Sequence, residues 1–279
     1  MQTLSKAQWE LLLIDNASKE PLAKLVDLSW HPHARHILEN ELGLTPARMR
    51  GIRESTGELL IFVDDDNVLE ASFIEIALSI HRKFGQLGAF GAGQIVPEFE
   101  TRPDDELKPF LKMLTIRDEK LPAWSNFLNY NGSTPWGAGL CILRNVGLAY
   151  AEILSSDKIR RLLGRRGKIL LSCEDVDLSL FACKLGFGTG IFPELSLVHL
   201  IPSRRLKHQY LAELAEGHAA SHLLLSRSWG YEASNSENPV LGWFRHLKRL
   251  ITLKGIARDI YRAERRGRKS AIALLAEHR

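Results

Sequence analysis

Short apolar runs alternate with segments of helical period along this chain, the pattern of βαβ units that build a mainly parallel sheet. Residues 10–15 read as a buried strand ending in Asp15, and residues 35–39 as a shorter strand. A helix is predicted over 45–57, with Thr45 as N-cap, Pro46 in the first turn and Gly57 as its stop. Residues 59–63 are apolar throughout, as a central strand would be, and break off into Asp64, Asp65 and Asp66. The helix over 70–84 gathers Phe73, Ile76, Ala77 and Ile80 on one face. A Gly-rich strand at 88–96 then gives way to a polar, proline-punctuated stretch at 97–135. After it come a strand (140–143), a helix (145–154), a basic loop (160–168), a helix (174–185) stopped by Gly186, a strand (187–192) and a long helix (206–229). The chain divides accordingly into a nucleotide half (1–96), an acceptor half (97–240) and a basic helical tail (241–279).

Length and composition permit this reading. A chain of 279 residues can bury a sizeable core, and 45% hydrophobic with 25% charged residues excludes wholesale disorder. Cys141, Cys173 and Cys183 are too few and too scattered for a disulfide framework or a zinc site, which points to reduced thiols in a cytosolic setting. No apolar run is long enough to span a bilayer and no leader pattern opens the chain, so a soluble or peripheral protein is expected. Charge changes the picture more. Residues 241–279 hold 11 Lys+Arg against 3 Asp+Glu, a surplus of +8, which leaves the remainder at −4. Basicity confined to the tail argues against a nucleic-acid groove and for a local anionic partner. Phe244, Leu247, Leu250 and Ile251, with Trp243, share one helical face, and Arg245, Lys248 and Arg249 lie opposite, an interfacial pattern suited to anionic lipid.

Three acidic clusters carry the candidate chemistry. Ligands of open parallel sheets bind beyond the carboxyl ends of strands, where Asp64, Asp65 and Asp66 gather oxygen ligands suited to Mg²⁺ or Mn²⁺. A solvated turn capping the next helix would show the same residues. Asp15 also ends a strand, with a purely local Asx-turn as its simpler account. Glu174, Asp175 and Asp177 open an apolar helix; capping explains one acid there, whereas a general base needs such a rigid mount. Trp136, Gly137 and Gly139 precede a short strand and would let a sugar stack and approach the backbone, or simply form a tight turn. His199 lies ahead of Arg204 and Arg205, a pair suited to a diphosphate.

In this order the segments resemble the motifs of family 2 GT-A glycosyltransferases. Residues 9–18 look like the family's second-strand motif. Residues 40–57, with Gly43, Ala47, Arg48, Gly51 and Gly57, resemble its next segment. Asp64–Asp66 resembles the DxD motif, 136–139 the acceptor loop, and Glu174-Asp175 the catalytic-base motif. The resemblance runs from about Trp9 to Arg205. It implies an α/β, Rossmann-like GT-A fold with a mainly parallel sheet flanked by helices, and sugar transfer with inversion from a nucleotide sugar, UDP-linked by expectation. It further implies that Asp15 contacts the nucleobase, Arg48 lies near the nucleotide, and Asp65 holds ribose or metal. Asp66 would be the firmest ligand of a Mn²⁺ or Mg²⁺ ion and His199 an additional one. Asp175 would be the base with Glu174 in support, and Trp136, Gly137 and Gly139 would meet the acceptor.

Surface polysaccharide or lipid-linked glycan synthesis at the inner face of a membrane is the setting the family implies. A nucleotidyltransferase would want a Gly-rich basic phosphate loop near the start, and none is present. The remaining alternative is a catalytically impaired relative acting as a binding or assembly partner. The resemblance also lacks the family's opening strand, expected between 11–14 and 59–63, so poor nucleotide binding by this form is expected.

Overall fold

The computed structural model describes residues 1–167, 169–231 and 239–277, without the side chains of 239–243. Among these, the first half contains strands β1 (Leu11–Asn16) and β2 (Ala34–Glu39), helix α1 (Leu44–Glu54), strands β3 (Leu59–Ile61) and β4 (Asn67–Leu69), helix α2 (Phe73–Lys83) and the long strand β5 (Leu87–Phe99). Strands β6 (Arg117–Asp118), β7 (Ala123–Ser125) and β8 (Cys141–Leu143) follow, then helices α3 (Arg144–Ser156) and α4 (Glu174–Lys184), strand β9 (Gly188–Ile201), and helices α5 (His208–Ser228), α6 (Pro239–Thr252) and α7 (Gly255–Glu277).

The α/β class, the flanking helices and the helical tail match expectation, but the sheet is mixed. Only β1–β2 and β5–β9 pair in parallel, whereas β3–β8, β8–β5 and β9–β4 are antiparallel. Periodicity does not encode strand direction, and β8, a three-residue strand set between β3 and β5, reverses it twice. The strands also fall into two sheets. One contains β1 and β2 alone; the other runs β3-β8-β5-β9-β4, with β6 and β7 on its margins.

Several boundaries differ for local reasons. Helix α1 is capped by Gly43, whose φ of 141° only glycine adopts freely, while Thr45 sits in the first turn and donates its hydroxyl to the Leu163 carbonyl. Gly57 does not stop it: the helix ends at Glu54, and the Gly57 N–H reaches the Glu10 carboxylate. The stretch expected to be irregular contains a 3₁₀ helix, Asp105–Leu114, which buries Leu107 and Leu114 beside α5 and α7.

The sheet's two faces support separate cores. Ile52, Ile142, Tyr150 and Phe181 fill the layer under α1, α3 and α4, and Phe73, Phe90 and Phe192 fill the layer under α2. Helix α7 is no free tail. It buries Ile256, Ile260, Ala263 and Ala271, and its Gly267 passes so close to the Glu216 carbonyl of α5 that a Cβ would collide. Of the expected interfacial face on α6, Phe244, Leu247 and Ile251 are exposed and Leu250 is half-buried, and the side chain of Trp243 lies outside the described residues. No described helix is long and apolar enough to cross a membrane.

Candidate active site

One cleft of about 1790 Å³ brings together most of the predicted residues, lined by Asp64, Asp65, Asp66, Glu174, Asp175 and His199 among others. The acid run forms the turn between β3 and β4, so two antiparallel contacts hold its ends: Phe62 N–H to Leu140 and Leu200 N–H to the Asp66 carbonyl. Its three carboxylates would repel one another, and the chain separates them. Asp64 turns to Arg48, 3.3 Å away, and Asp66 turns to Arg205, 2.6 Å away, while Asp65 stays exposed.

Arg48 lies buried under the cleft and also bonds Glu174 at 2.7 Å. Burial works against its charge, but Asp64 and Glu174 outweigh that, so the guanidinium remains charged. Gly137 lets this guanidinium fit, since any Cβ there would strike Arg48. Burial, reinforced by Asp175, pushes the Glu174 carboxyl up to about 7 against the pull of Arg48.

The mount of Asp175 is a helix N-terminus, as expected, with a feature the sequence did not announce. Cys173 adopts a left-handed φ of 69° immediately before α4, a conformation costly for a residue with a side chain. That bend sets Glu174 toward Arg48 and Asp175 toward the 136–139 loop. One Asp175 oxygen accepts the Gly137 N–H at 2.5 Å and the other the Val176 N–H at 2.8 Å. Both bonds fix the carboxylate without burying it. Asp177, the third acid of the cluster, has a different role. It is fully buried and accepts bonds from Tyr150, Arg160 and Trp229, which ties α4 to α3 and to the end of α5.

Asp66 and His199 share the opposite wall. His199 Nε2 lies 3.6 Å from the Asp66 carboxylate, and Arg205 bridges them, 2.6 Å from Asp66 and 3.0 Å from His199. Burial alone would raise the Asp66 carboxyl, yet the His199 hydrogen bond and the Arg205 charge hold it below its ordinary range. Arg205 thus already neutralises Asp66. His199 belongs to the end of β9 itself, opposite Asn67 on β4, rather than to a loop beyond the strand.

Two predicted residues behave otherwise. Asp15 spends both oxygens on its own loop, accepting from Ser18 N–H at 3.0 Å and Leu22 N–H at 2.9 Å, the local Asx-turn geometry. Those bonds, Leu22 first, hold its carboxyl low. Gly139 has φ of 70°, and a Cβ there would press on Phe73 and Leu197, so its requirement is core packing rather than acceptor contact. Trp136 does line the cleft, with one face covered by the Arg117 guanidinium 3.6 Å from the ring centre. Arg117 was not foreseen, nor were His218 and His222 of α5, which line the cleft on the Asp175 side. Burial lowers Arg117 to about 10 and His218 to about 4. A lone Arg in a polar stretch and two histidines four apart on a helix carry no signal until the fold brings them to the cleft.

The family model for Glycosyl transferase family 2 matches residues 2–126. This segment belongs to that family. The match ends ahead of Trp136 and Asp175, whose placement rests on the geometry above. No curated protein sequence matches the chain. Among solved structures, the crystal structure of S. aureus TarS is similar with a TM-score of 0.49 at 12% identity, over 91% of this chain and 41% of that one. TarS 1-349 in complex with UDP gives 0.47 at 11% identity, over 100% and 85% of the two chains. GalNAc-T7 with UDP, GalNAc and Mn2+ gives 0.48 at 15% identity, over 90% and 52%. The chain therefore spans less than half the length of the full TarS chain.

Proposed function

We propose that this chain transfers a sugar from a nucleotide-sugar donor, UDP-linked, to an acceptor hydroxyl with inversion. The observation that carries the reading is the position of Asp175, fixed by the Gly137 and Val176 N–H groups on the rim of the cleft that Asp64, Asp65 and Asp66 also line. A base must be held within reach of the proton it takes, and these two bonds orient the carboxylate.

In this reading the acceptor sugar stacks beside Trp136, and Asp175 takes the proton of its attacking hydroxyl. Glu174 supports Asp175 from below through its bond to Arg48. Arg48 steadies the nucleotide end of the cleft through Asp64 rather than by touching the donor, because its guanidinium is buried. Asp65, the exposed acid, is left to meet the ribose. Asp15 shapes the 16–22 loop and takes no direct part.

Asp66 and His199, one carboxylate and one imidazole 3.6 Å apart, are the residues that would hold a Mn²⁺ or Mg²⁺ ion, but Arg205 bonds both of them and no group of three or more metal-ligating side chains occurs among the described residues. Such an ion, when bound, would neutralise the departing diphosphate. Arg205 would then pair with the diphosphate, where a guanidinium fork suits two phosphate oxygens. Incubation with a panel of nucleotide sugars and Mn²⁺ tests the reading. Slow release of free nucleotide from one donor is expected, and absence of binding or release with every donor would leave only a binding or assembly role.

A further inference from the structure

We propose that the cleft beyond Asp175 is an anion subsite, and that the acceptor seated there carries a phosphate or carboxylate near its reacting hydroxyl. This acceptor class belongs to the transfer proposed above and rests on that reading. Positive charge gathers at this end without carboxylates to match it. Arg165, His218 and His222 line it, and Lys112 joins the same cavity from the 3₁₀ helix that packs on α5. Arg165 is half-buried, and among the described residues no carboxylate pairs with Arg165 or Lys112. The other carboxylates of the cavity are engaged or remote. Arg48 holds Asp64 and Glu174, Arg205 holds Asp66, and Asp65 lies on the β3–β4 turn. Glu10 and Glu58 precede β1 and β3, at the other end of those strands.

Local structure holds these groups around the base. The Arg165 carbonyl accepts the Leu44 N–H at 2.9 Å, and the chain then turns through Gly167, with Arg166 and Ile169 bonded both ways at 3.2 and 3.0 Å. Helix α5 presses on the segment that leads to Asp175. A Cβ on Gly217 would lie 2.1 Å from the Leu170 carbonyl oxygen, and the Ser221 hydroxyl accepts the Ser172 N–H at 2.8 Å. His218 and His222 each follow one of these contact residues, one helical turn apart on a shared face. The Asp175 charge acts on both imidazoles, and the Arg165 charge acts on His218. The His222 ring stands 5.8 Å from that of Tyr130, whose hydroxyl accepts the Trp136 indole N–H at 3.1 Å.

A further cation backs this end. The Arg117 guanidinium lies behind the Trp136 ring and is 7% exposed. Its Nη2 donates to the Thr134 carbonyl at 3.2 Å, while its Nη1 finds no acceptor. Burial pushes it down to about 10, which Tyr130, Glu119 and Asp175 offset only in part. Buried cations are ordinarily paired, as Arg48 and Arg160 are here, and Arg117 and Arg165 depart from that rule. Asp175 also loses its negative charge when it takes the acceptor's proton. An anion on the acceptor supplies the missing charge throughout. The guanidinium fork of Arg165 suits two oxygens of a phosphate or carboxylate, and each neutral imidazole has one N–H to add. A neutral sugar would leave these cations unmatched.

The test titrates the whole chain with glucose, a glucose phosphate monoester and glucuronate, probes that share one sugar frame, and follows the His218 and His222 ring signals by NMR. Both anions should bind at least about tenfold more tightly than glucose, the advantage of charge-assisted over neutral hydrogen bonds. They should shift both ring signals and raise the His218 midpoint from about 4, because an added anion favours the imidazolium. Arg165→Gln should bring the anions to within about twofold of glucose, and Lys112→Gln should weaken them severalfold. Arg205→Gln, at the diphosphate end, should leave the preference for anions intact. Equal binding of the three probes, no binding of either anion, or a preference that survives Arg165→Gln and disappears with Arg205→Gln would overturn the subsite. If a donor is turned over and neither anion binds, the subsite fails while the transfer stands. Anion binding without turnover of any donor removes the transfer, and the acceptor role with it.

Discussion

Asp177 and His218 show how differently buried polar groups near this cleft are treated. Asp177 is pushed up by burial, yet it meets Arg160, Tyr150 and Trp229 in one closed network. Replacing Asp177 with Asn leaves Arg160 buried with a weaker partner, so urea unfolding should show a loss of about 3–5 kcal/mol. A loss below about 1 kcal/mol would mean that the network does not hold α4. For His218 the Asp175 charge offsets burial only in part. Burial, with help from His222 and Arg165, holds its imidazole down to about 4 against an ordinary 6.5. Below pH 6.5 the unfolded chain therefore takes up a proton that the folded chain refuses, and stability falls as pH drops from 6.5 towards 4. His218→Gln should flatten the stability profile across that window by about 1–2 kcal/mol while leaving pH 7.5 little changed; an unchanged slope would place the acid sensitivity elsewhere.

At the scale of elements, the sequence announced those whose punctuation is local. The abrupt end of an apolar run at Asp64, and the acids opening α4 with Gly186 closing it, marked both halves of the cleft. What it hid depends on distant partners. Arg205 reaches Asp66 across 139 positions, and nothing near either residue records the pairing. Strand β4, three residues long, is too short for periodicity to register, and β8, expected as a strand at 140–143, gave no sign of the antiparallel direction that makes the sheet mixed. The helical tail was legible, but the close packing of α7 on α5 runs through small residues, Ala263, Gly267 and Ala271, which leave little trace in a hydrophobic pattern. On helix α6 the apolar Phe244, Leu247 and Ile251 are exposed, and so are Arg245, Lys248 and Arg249. We expect it to seat on anionic lipid, and placing the chain at the inner face of a membrane rests on that expectation. Co-sedimentation with phosphatidylserine-containing vesicles should fall severalfold for a Phe244→Ser, Ile251→Ser double variant. Equal sedimentation of the variant, or none by the intact chain, would contradict it.

The molecule as a whole places its acids on two walls of one cleft and uses a separate arginine to hold each. Arg48 fixes Asp64 and Glu174 on the inner wall, and Arg205 holds Asp66 beside His199 on the outer one. Between them Asp175 is fixed by backbone N–H groups and stays accessible, the one carboxylate of its cluster that burial does not commit to structure. That division of labour is why the account assigns proton removal to Asp175. The most direct measurement compares Asp175→Asn with the unaltered chain under saturating nucleotide sugar and Mn²⁺, with nucleotide binding followed by calorimetry alongside. The account predicts unchanged donor affinity and turnover lower by about 10²–10⁴-fold; near-normal turnover by the variant would contradict it.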